Sequence, residues 1–357
     1  MGVLDPIVEE DIRCILASSG DLVRELSGSS ILIAGANGFL GSYLVDTIVA
    51  ANQRLMPSTP ATVIALSRTS PEKITGFRHL LQDPHVTFIT GDITQPVALP
   101  SRVDYVVHAA SKASPKAWAA HPIETADANT VGTRRLLELA YANRAKGLLF
   151  ISSAQVYGDA GAAFDLIPED FGGTVSPLNL RAAYHEAKRF GETLCYLFHH
   201  VHHVPAKIAR PFSVYGPRLS LNDGKIVPEF MRRGFAGEDL PVFGEGGAVH
   251  AFSYVTDAID GLLRVLLHGA PGEAYNIGSN EEITVRDLAQ LFAELFPGVV
   301  IKSVPAGPAP REPRLVPDLG KIQKLGYHPC ISLREGLTRF KEWHRLYGGE
   351  LLKGDDT

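Results

Sequence analysis

The chain has 357 residues, 45% of them hydrophobic and 20% charged, an ordinary globular composition with length for one large domain or two smaller ones. A formal net charge of -5 argues against a general nucleic-acid or membrane-surface binder, which needs a cationic face, yet leaves room for local arginines that hold an anionic ligand. Cys14, Cys195 and Cys330 are scattered and lack a CxxC pair, the N-terminus is acidic, and no apolar run is long enough for a bilayer, so we expect a soluble, cytoplasmic protein with reduced thiols, no membrane partner and no metal framework.

Residues 1–28 read as an acidic, amphipathic helical extension with Ile12, Ile15, Leu16, Val23 and Leu26 on its apolar face. From Ser30 strands alternate with helices. Apolar runs at Ile31–Ala34, Thr62–Leu66, Val86–Thr90, Tyr105–His108, Leu148–Ser152 and Ala206–Ala209 are separated by helical stretches, notably Leu40–Gln53, Asn129–Asn143 and Tyr184–His199. Short buried strands interleaved with helices imply an α/β fold, a Rossmann-type doubly wound parallel sheet over residues 29–210. After Arg210 glycine and proline become frequent and the helices shorten, with a proline-rich loop at Pro305–Pro317. Residues 211–251 and 283–347 are expected to form a smaller mixed α/β substrate domain, 252–282 to return to the sheet layer, and 348–357 to be a tail. No fixed-period repeat or low-complexity tract is present.

The first strand runs into Gly35-Ala36-Asn37-Gly38-Phe39-Leu40-Gly41 and then a helical stretch. In that context the first glycine permits a tight turn, the second lets the backbone approach a pyrophosphate, and the third lets the helix pack closely on the strand. The cradle therefore predicts a dinucleotide. At the end of the second strand, Ala65-Leu66-Ser67-Arg68 offers no carboxylate for a free 2′-hydroxyl, and an arginine there suits a 2′-phosphate. This favours NADP; if Arg68 merely stacks on adenine or faces solvent, NAD remains. Asp92, in Gly91-Asp92-Ile93, either meets the adenine edge or caps a turn.

Tyr184 and Lys188 are four residues apart, one helical turn, on a single face. An ammonium beside a phenol favours the phenolate and makes it a usable base for a sugar hydroxyl. Ser152-Ser153 lies just past an apolar strand, at the carboxyl end where ligands bind in open α/β sheets. Tyr, Lys and a strand-end Ser together with the glycine cradle define a candidate catalytic group.

With these motifs in view, residues 30–345 resemble the extended short-chain dehydrogenases/reductases that act on nucleotide sugars: epimerases, dehydratases, decarboxylases and ketoreductases. The resemblance runs through GANGFLG, GDI, VVHAAS, NTVGT at Asn129–Thr133, SSAQVYGD at Ser152–Asp159, YHEAK, ARPFSVYGPR at Ala209–Arg218 and FSYVTD at Phe252–Asp257. The wording of SKASPKAWAAHPIETADANTVGT, RAAYHEAKRFGETLCY and GPRLSLNDGKIVPEF is similar to the UDP-glucuronate decarboxylases. The resemblance implies that Tyr184 takes the 4-hydroxyl proton, Lys188 holds the nicotinamide ribose and Ser153 hydrogen-bonds the 4-oxygen, giving a 4-keto sugar. It further implies cofactor contacts at Gly35, Asn37, Gly38, Phe39, Leu40, Gly41, Ser67, Arg68, Asp92, Ile93, Ala109, Ala110, Ser111, Asn129, Ser152, Tyr184, Lys188 and Pro211. Substrate contacts, to a nucleoside-diphosphate sugar with UDP favoured, are implied at Lys112, Gln155, Ser213, Arg218, Val227, His250, Arg311 and Arg314. A homodimer through Asn129–Asn143 and Tyr184–His199 is also implied, using Leu136, Leu139, Phe190, Leu194 and Leu197; burial within the subunit would account for the same residues.

Three positions depart from the family's pattern. Gln155 stands where dehydratases and decarboxylases carry Glu, Ser213 where an Asn is usual, and His250 where an Arg is usual. An amide is no base for C5, and a histidine replaces a permanent charge with a weaker, pH-dependent one. These changes favour a 4-epimerase as the reading, with decarboxylase or 4-ketoreductase as alternatives and a non-catalytic dinucleotide-binding sensor as a remote one. Arg218, Arg311 and Arg314 are candidate diphosphate partners, since the family places arginines near these points; each alone reads more readily as a solvated surface arginine. The run His199-His200-Val201-His202-His203 lacks carboxylates or thiolates to complete a metal site. Asp223 and Lys225, in the loop after Arg218, either touch the nucleotide base or are simply solvated, the second reading favoured, and Tyr157 reads as a packing or pocket-wall aromatic.

Overall fold

The computed structural model describes residues 4–158, 164–305 and 314–351. Arg311, Asp159 and residues 352–357 of the expected tail therefore lie outside the described residues.

Seven strands form one parallel sheet: β1 (Ser30–Ala34), β2 (Thr62–Ser67), β3 (Val86–Thr90), β4 (Tyr105–His108), β5 (Gly147–Ile151), β6 (Ala206–Pro211) and, later in the chain, Ala274–Ile277. From one edge to the other the order is β3, β2, β1, β4, β5, β6 and then Ala274–Ile277, all parallel. The chain builds outward from β1 in one direction, then returns to build outward from β4 in the other. The switch point between β1 and β4 leaves a crevice at the carboxyl ends of the strands, the position where such sheets bind ligands. The central strands are largely apolar because helices cover both faces; β5 is buried along its whole length, whereas the edge strand β3 exposes two threonines and β6 carries Lys207 and Arg210.

Helices α1 (Pro6–Val23), α2 (Phe39–Arg54), α3 (Pro115–Ala120), α4 (Pro122–Asn129), α5 (Val131–Asn143) and α6 (Ala182–His202) precede or flank the central strands. The expected helix at Asn129–Asn143 is interrupted at Thr130, between α4 and α5. Side chains there bond back to the preceding turn: Thr130 Oγ1 donates to the Ala126 carbonyl at 2.9 Å, and Thr133 Oγ1 to the Asn129 carbonyl at 2.7 Å.

Beyond β6 the remaining elements are β7 (Val214–Tyr215), α7 (Ile226–Ala236), β8 (Leu240–Phe243), β9 (Val249–Ala251), β10 (Ser253–Tyr254), α8 (Val255–His268), β11 (Ala274–Ile277), β12 (Glu282–Thr284), α9 (Val285–Leu295), β13 (Ile301–Val304), β14 (Arg314–Leu315), α10 (Gly320–Gln323) and α11 (Leu333–Leu351). The short strands pair as β7 with β10, β9 with β12 and β14, and β8 with β13. Not every helix here is short, as the sequence had implied: α11 spans 19 residues. It packs back on α1, with Trp343 Nε1 donating to Asp5 Oδ2 at 3.1 Å and Arg339 Nη1 to Asp11 Oδ1 at 3.1 Å.

Helix α1 is part of the core. Ile12, Ile15, Val23 and Leu26 are buried and Leu16 packs against them. Its Asp11 is fully buried and accepts from Tyr43 Oη at 2.8 Å, Tyr254 Oη at 3.0 Å and Arg339. Burial pushes this carboxyl up to about 6, with the three donors pulling the other way. Among the described residues, no helix is long and apolar enough to cross a membrane.

Candidate active site

The end of β1 turns at Gly35 with φ +81°, a left-handed conformation that favours glycine. A Cβ there would lie 2.5 Å from the Ala110 backbone nitrogen, and one on Gly41 would lie 2.1 Å from the Gly35 carbonyl oxygen. The turn and the first residues of α2 are thus pressed against the end of β4 with no room for a side chain. Gly38, at the N-cap of α2, supplies no capping side chain, so the amides of this 16-residue helix are presented to an anion. Cradle and helix end fit the pyrophosphate of a dinucleotide.

A cavity of about 200 Å³ extends from this turn and is lined by Ser67, Arg68, Asp92, Ile93, Ala110 and Ser111 among others. It shares Asn37, Gly38, Arg68, Ala109, Ser111 and Lys112 with a larger cavity of about 850 Å³, so the two are one cleft. Ser67 Oγ donates to the Thr69 carbonyl at 2.6 Å, while the guanidinium of exposed Arg68 faces the cleft. Asp92 accepts from both the backbone nitrogen and Oγ1 of Thr94 at 2.8 Å, and these bonds, led by the backbone one, hold its carboxyl below the usual range. Asn129, expected at the cofactor, is fully buried behind the cavity wall and donates to Ser111 Oγ at 2.9 Å, while its Oδ1 is buried without a partner among the described residues.

The larger cavity is also lined by Phe39, Leu40, Ser152, Ser153, Tyr184, Lys188 and Pro211. Helix α6 turns Tyr184 and Lys188 to one buried face, and the nearby Ser153 hydroxyl favours ionisation of the phenol. Ser152 is tied down separately, donating to Glu192 Oε1 at 2.5 Å, and Glu192 in turn binds Arg210. The expected phenolate-promoting pair is not what the chain shows. Lys188 Nζ donates to the Ile151 carbonyl at 2.6 Å and lies 5.8 Å from the Tyr184 ring centroid. Burial dominates both groups: it drives the phenol up to about 12 and the ammonium down to about 7. Without ligands, proximity to Lys188 does not poise Tyr184 as a base.

At the sugar end, Lys112, Gln155, Ser213, Val227 and His250 all line the cavity, Ser213 with φ +42°. His250 stacks on Phe252, ring centroids 5.6 Å apart, and desolvation lowers its affinity for a proton. Arg218 is not a solvated surface arginine: its side chain is 10% exposed, it pairs with buried Asp46 at 2.6 Å and lies over the Tyr43 ring. Arg314, expected as a substrate contact, is bonded to Glu282 and the Asp165 carbonyl. Asp223 is also corrected: it is buried and paired with Lys225 at 2.8 Å, and is the one carboxylate among the described residues lining the larger cavity. Tyr157 is a core residue, donating to Asn276 Oδ1 at 2.6 Å.

The sequence reasoning missed Trp118 and His185, which line the same cavity. Their only sequence signal was proximity to recognised motifs, since neither type is diagnostic of a sugar site.

Residues 31–278 match the model of the NAD dependent epimerase/dehydratase family. The chain is 36% identical over 323 residues to UDP-glucuronic acid decarboxylase 5 of Arabidopsis thaliana, covering 90% of each protein. Among solved structures it is similar to a UDP-glucose 4-epimerase of Thermotoga maritima with UDP-glucose (TM-score 0.75, 27% identity, 89% of this chain and 99% of that one). It is similar also to a UDP-glucuronic acid 4-epimerase of Bacillus cereus in complex with UDP-glucuronic acid and NAD (TM-score 0.75, 25% identity, 89% and 99%).

Proposed function

Because the chain belongs to the NAD dependent epimerase/dehydratase family, we propose that it converts a UDP-sugar through a transient 4-keto sugar and, in the first reading, removes the C6 carboxylate of a UDP-glucuronic acid. The carrying observation is that Tyr184, Ser153 and Lys188 share one cavity with the glycine turn at Gly35–Gly41. The NAD or NADP expected on that turn supplies the oxidising and reducing power when bound. Tyr184 takes the proton of the 4-hydroxyl and returns it to the 4-oxygen. Ser153 donates a hydrogen bond to that oxygen, and Lys188 orients the coenzyme's ribose.

A ketone at C4 makes a C6 carboxylate a β-keto acid. The C5–C6 bond then breaks, carbon dioxide leaves, and the electron pair passes to the C4 oxygen, where Ser153 and the protonated Tyr184 stabilise the enolate. A proton from solvent then adds at C5 and restores the 4-ketone, which is reduced back to the alcohol when the coenzyme is bound. This route removes no proton from C5 and so tolerates Gln155, whereas a 4,6-dehydration needs a base there. The Arabidopsis decarboxylase similarity supports this reading over the 4-epimerase favoured from sequence alone. One observation favours 4-epimerisation as the second reading: His250, uncharged at neutral pH, gives a carboxylate no fixed cation. Incubation of the full chain with UDP-glucuronic acid, UDP-glucose and UDP-galactose, read by mass spectrometry and NMR, separates the outcomes. Loss of carbon dioxide supports the first reading, inversion at C4 the second, and no change in any sugar rejects both.

We also propose a homodimer through α5 and α6, which leave Tyr141, Phe190, Tyr196, Leu197 and Val201 exposed. Leu136 is already buried within the subunit. Sedimentation velocity tests this: a dimer is expected, and a Phe190→Asp, Leu197→Asp variant should be monomeric. The free cysteines fit a reducing, cytoplasmic setting.

A further inference from the structure

The phenol of Tyr184 has a neighbour that the proposed chemistry leaves unused. Trp118, on α3, lies parallel to it, with ring centroids 4.4 Å apart and planes 10° from one another. The edge of His185 meets the indole at 5.5 Å. Trp118 and Tyr184 are 6% and 4% exposed, so their stacked faces are shielded from water although both residues line the larger cavity. Helix α3 is well anchored for such a role. Its N-cap Ser114 accepts from the Ala117 backbone nitrogen at 3.1 Å, and Lys116 packs beside Gly224, next to Asp223.

We propose that Trp118 is the positioning residue of the phenol: its indole fixes the plane of the Tyr184 ring so that the hydroxyl meets Ser153, and it excludes water from that ring. The inference rests on the reading of Tyr184 as the proton acceptor. The charged and titratable groups around the phenol are Lys188 and His185 from α6 and Asp223 from the loop before α7. Burial is the leading influence on its ionisation, Asp223 acts in the same direction, and the Ser153 hydroxyl opposes both. The indole covers one face of the ring and is a large part of that burial. Removing it admits water, which favours the phenolate.

The test uses Trp118→Ala and Trp118→Phe in the full chain. The ionisation of Tyr184 is followed by NMR with isotope-labelled tyrosine, Tyr184→Phe assigning its resonance, together with the pH profile of kcat. In Trp118→Ala the phenol is expected to ionise about one pH unit lower or more. Its kcat should fall about tenfold, with the acid limb of the profile displaced in the same direction as the titration. Trp118→Phe should show a smaller shift of the same sign; if the Ala variant does not fold, a displaced Phe titration supports the proposal and an undisplaced one overturns it. A fall in kcat with titration and profile unmoved assigns Trp118 a purely structural part and overturns the proposal, as does an Ala variant that behaves like wild type. The titration needs no substrate, so a wild-type chain inactive on every UDP-sugar would defeat the functional reading and leave this inference to be decided by NMR.

Discussion

The ammonium of Lys188 is held by the Ile151 carbonyl, 2.6 Å away, and lies 5.8 Å from the centre of the Tyr184 ring. This contact puts a cationic group in a fully enclosed position at the end of β5, where losing its proton relieves the desolvation.

A stability prediction follows from that burial. Lys188 is lowered from 10.5 in the unfolded chain to about 7 in the folded one. Between these values the unfolded chain binds the extra proton, so folding stability rises with pH across this window and the cost is fully present below about 7. Lys188→Met should therefore stabilise the dinucleotide-free chain at pH 6–7 by roughly 5 kcal/mol at most, the gain fading towards pH 10. Thermal unfolding of both proteins across this range checks it; a constant difference in Tm would contradict the assignment. The same substitution should abolish turnover.

If His250 meets the sugar as proposed, its charge governs how the site treats an acidic one. Desolvation keeps it uncharged above its ordinary value of 6.5. Affinity for UDP-glucuronic acid should rise only as pH falls below 6.5, while that for UDP-glucose stays flat. His250→Arg should tighten UDP-glucuronic acid binding at neutral pH by about tenfold, because the guanidinium offers a permanent, bidentate contact. Calorimetric titration of both sugars checks this; equal changes for the two would contradict it.

The glycine turn is sterically committed. Gly35→Ala places a methyl group 2.5 Å from the Ala110 nitrogen at a positive φ, and should weaken dinucleotide binding by at least about tenfold while lowering Tm. Gly38→Ala, whose methyl would lie 3.2 Å from the Gly35 carbonyl oxygen, should do less harm to folding. Fluorescence titration with the reduced coenzymes and thermal unfolding measure both effects.

Arg68 is expected to discriminate between the two coenzymes. It lines the smaller cavity beside the glycine turn, and among the described residues no hydrogen bond or ion pair is formed by its guanidinium. Arg68→Ala should weaken NADP by about tenfold and leave NAD nearly unchanged, moving the preference towards NAD. An equal loss for both would mean that the side chain stacks on adenine instead.

The central strands were legible because parallel strands covered on both faces must be short, apolar and separated by helices, as Ile31–Ala34 and Leu148–Ile151 are. The glycine turn was legible because its spacing is a steric requirement. What escaped the sequence depends on residues far apart in the chain. Arg218 looks like any loop arginine until Asp46 is found beneath it, and Asp223 looks solvated until the cavity closes around it. The two-residue strands β7 and β10 carry no periodicity to detect, and the stacking of Trp118 on Tyr184 joins α3 to α6 through a contact that no local pattern encodes.

The most direct measurement is the turnover of Tyr184→Phe on whichever UDP-sugar the wild-type chain converts. The account predicts a loss of roughly 100-fold or more in kcat with coenzyme and UDP-sugar binding retained, because only the proton-transferring hydroxyl is removed. Turnover equal to wild type would contradict it.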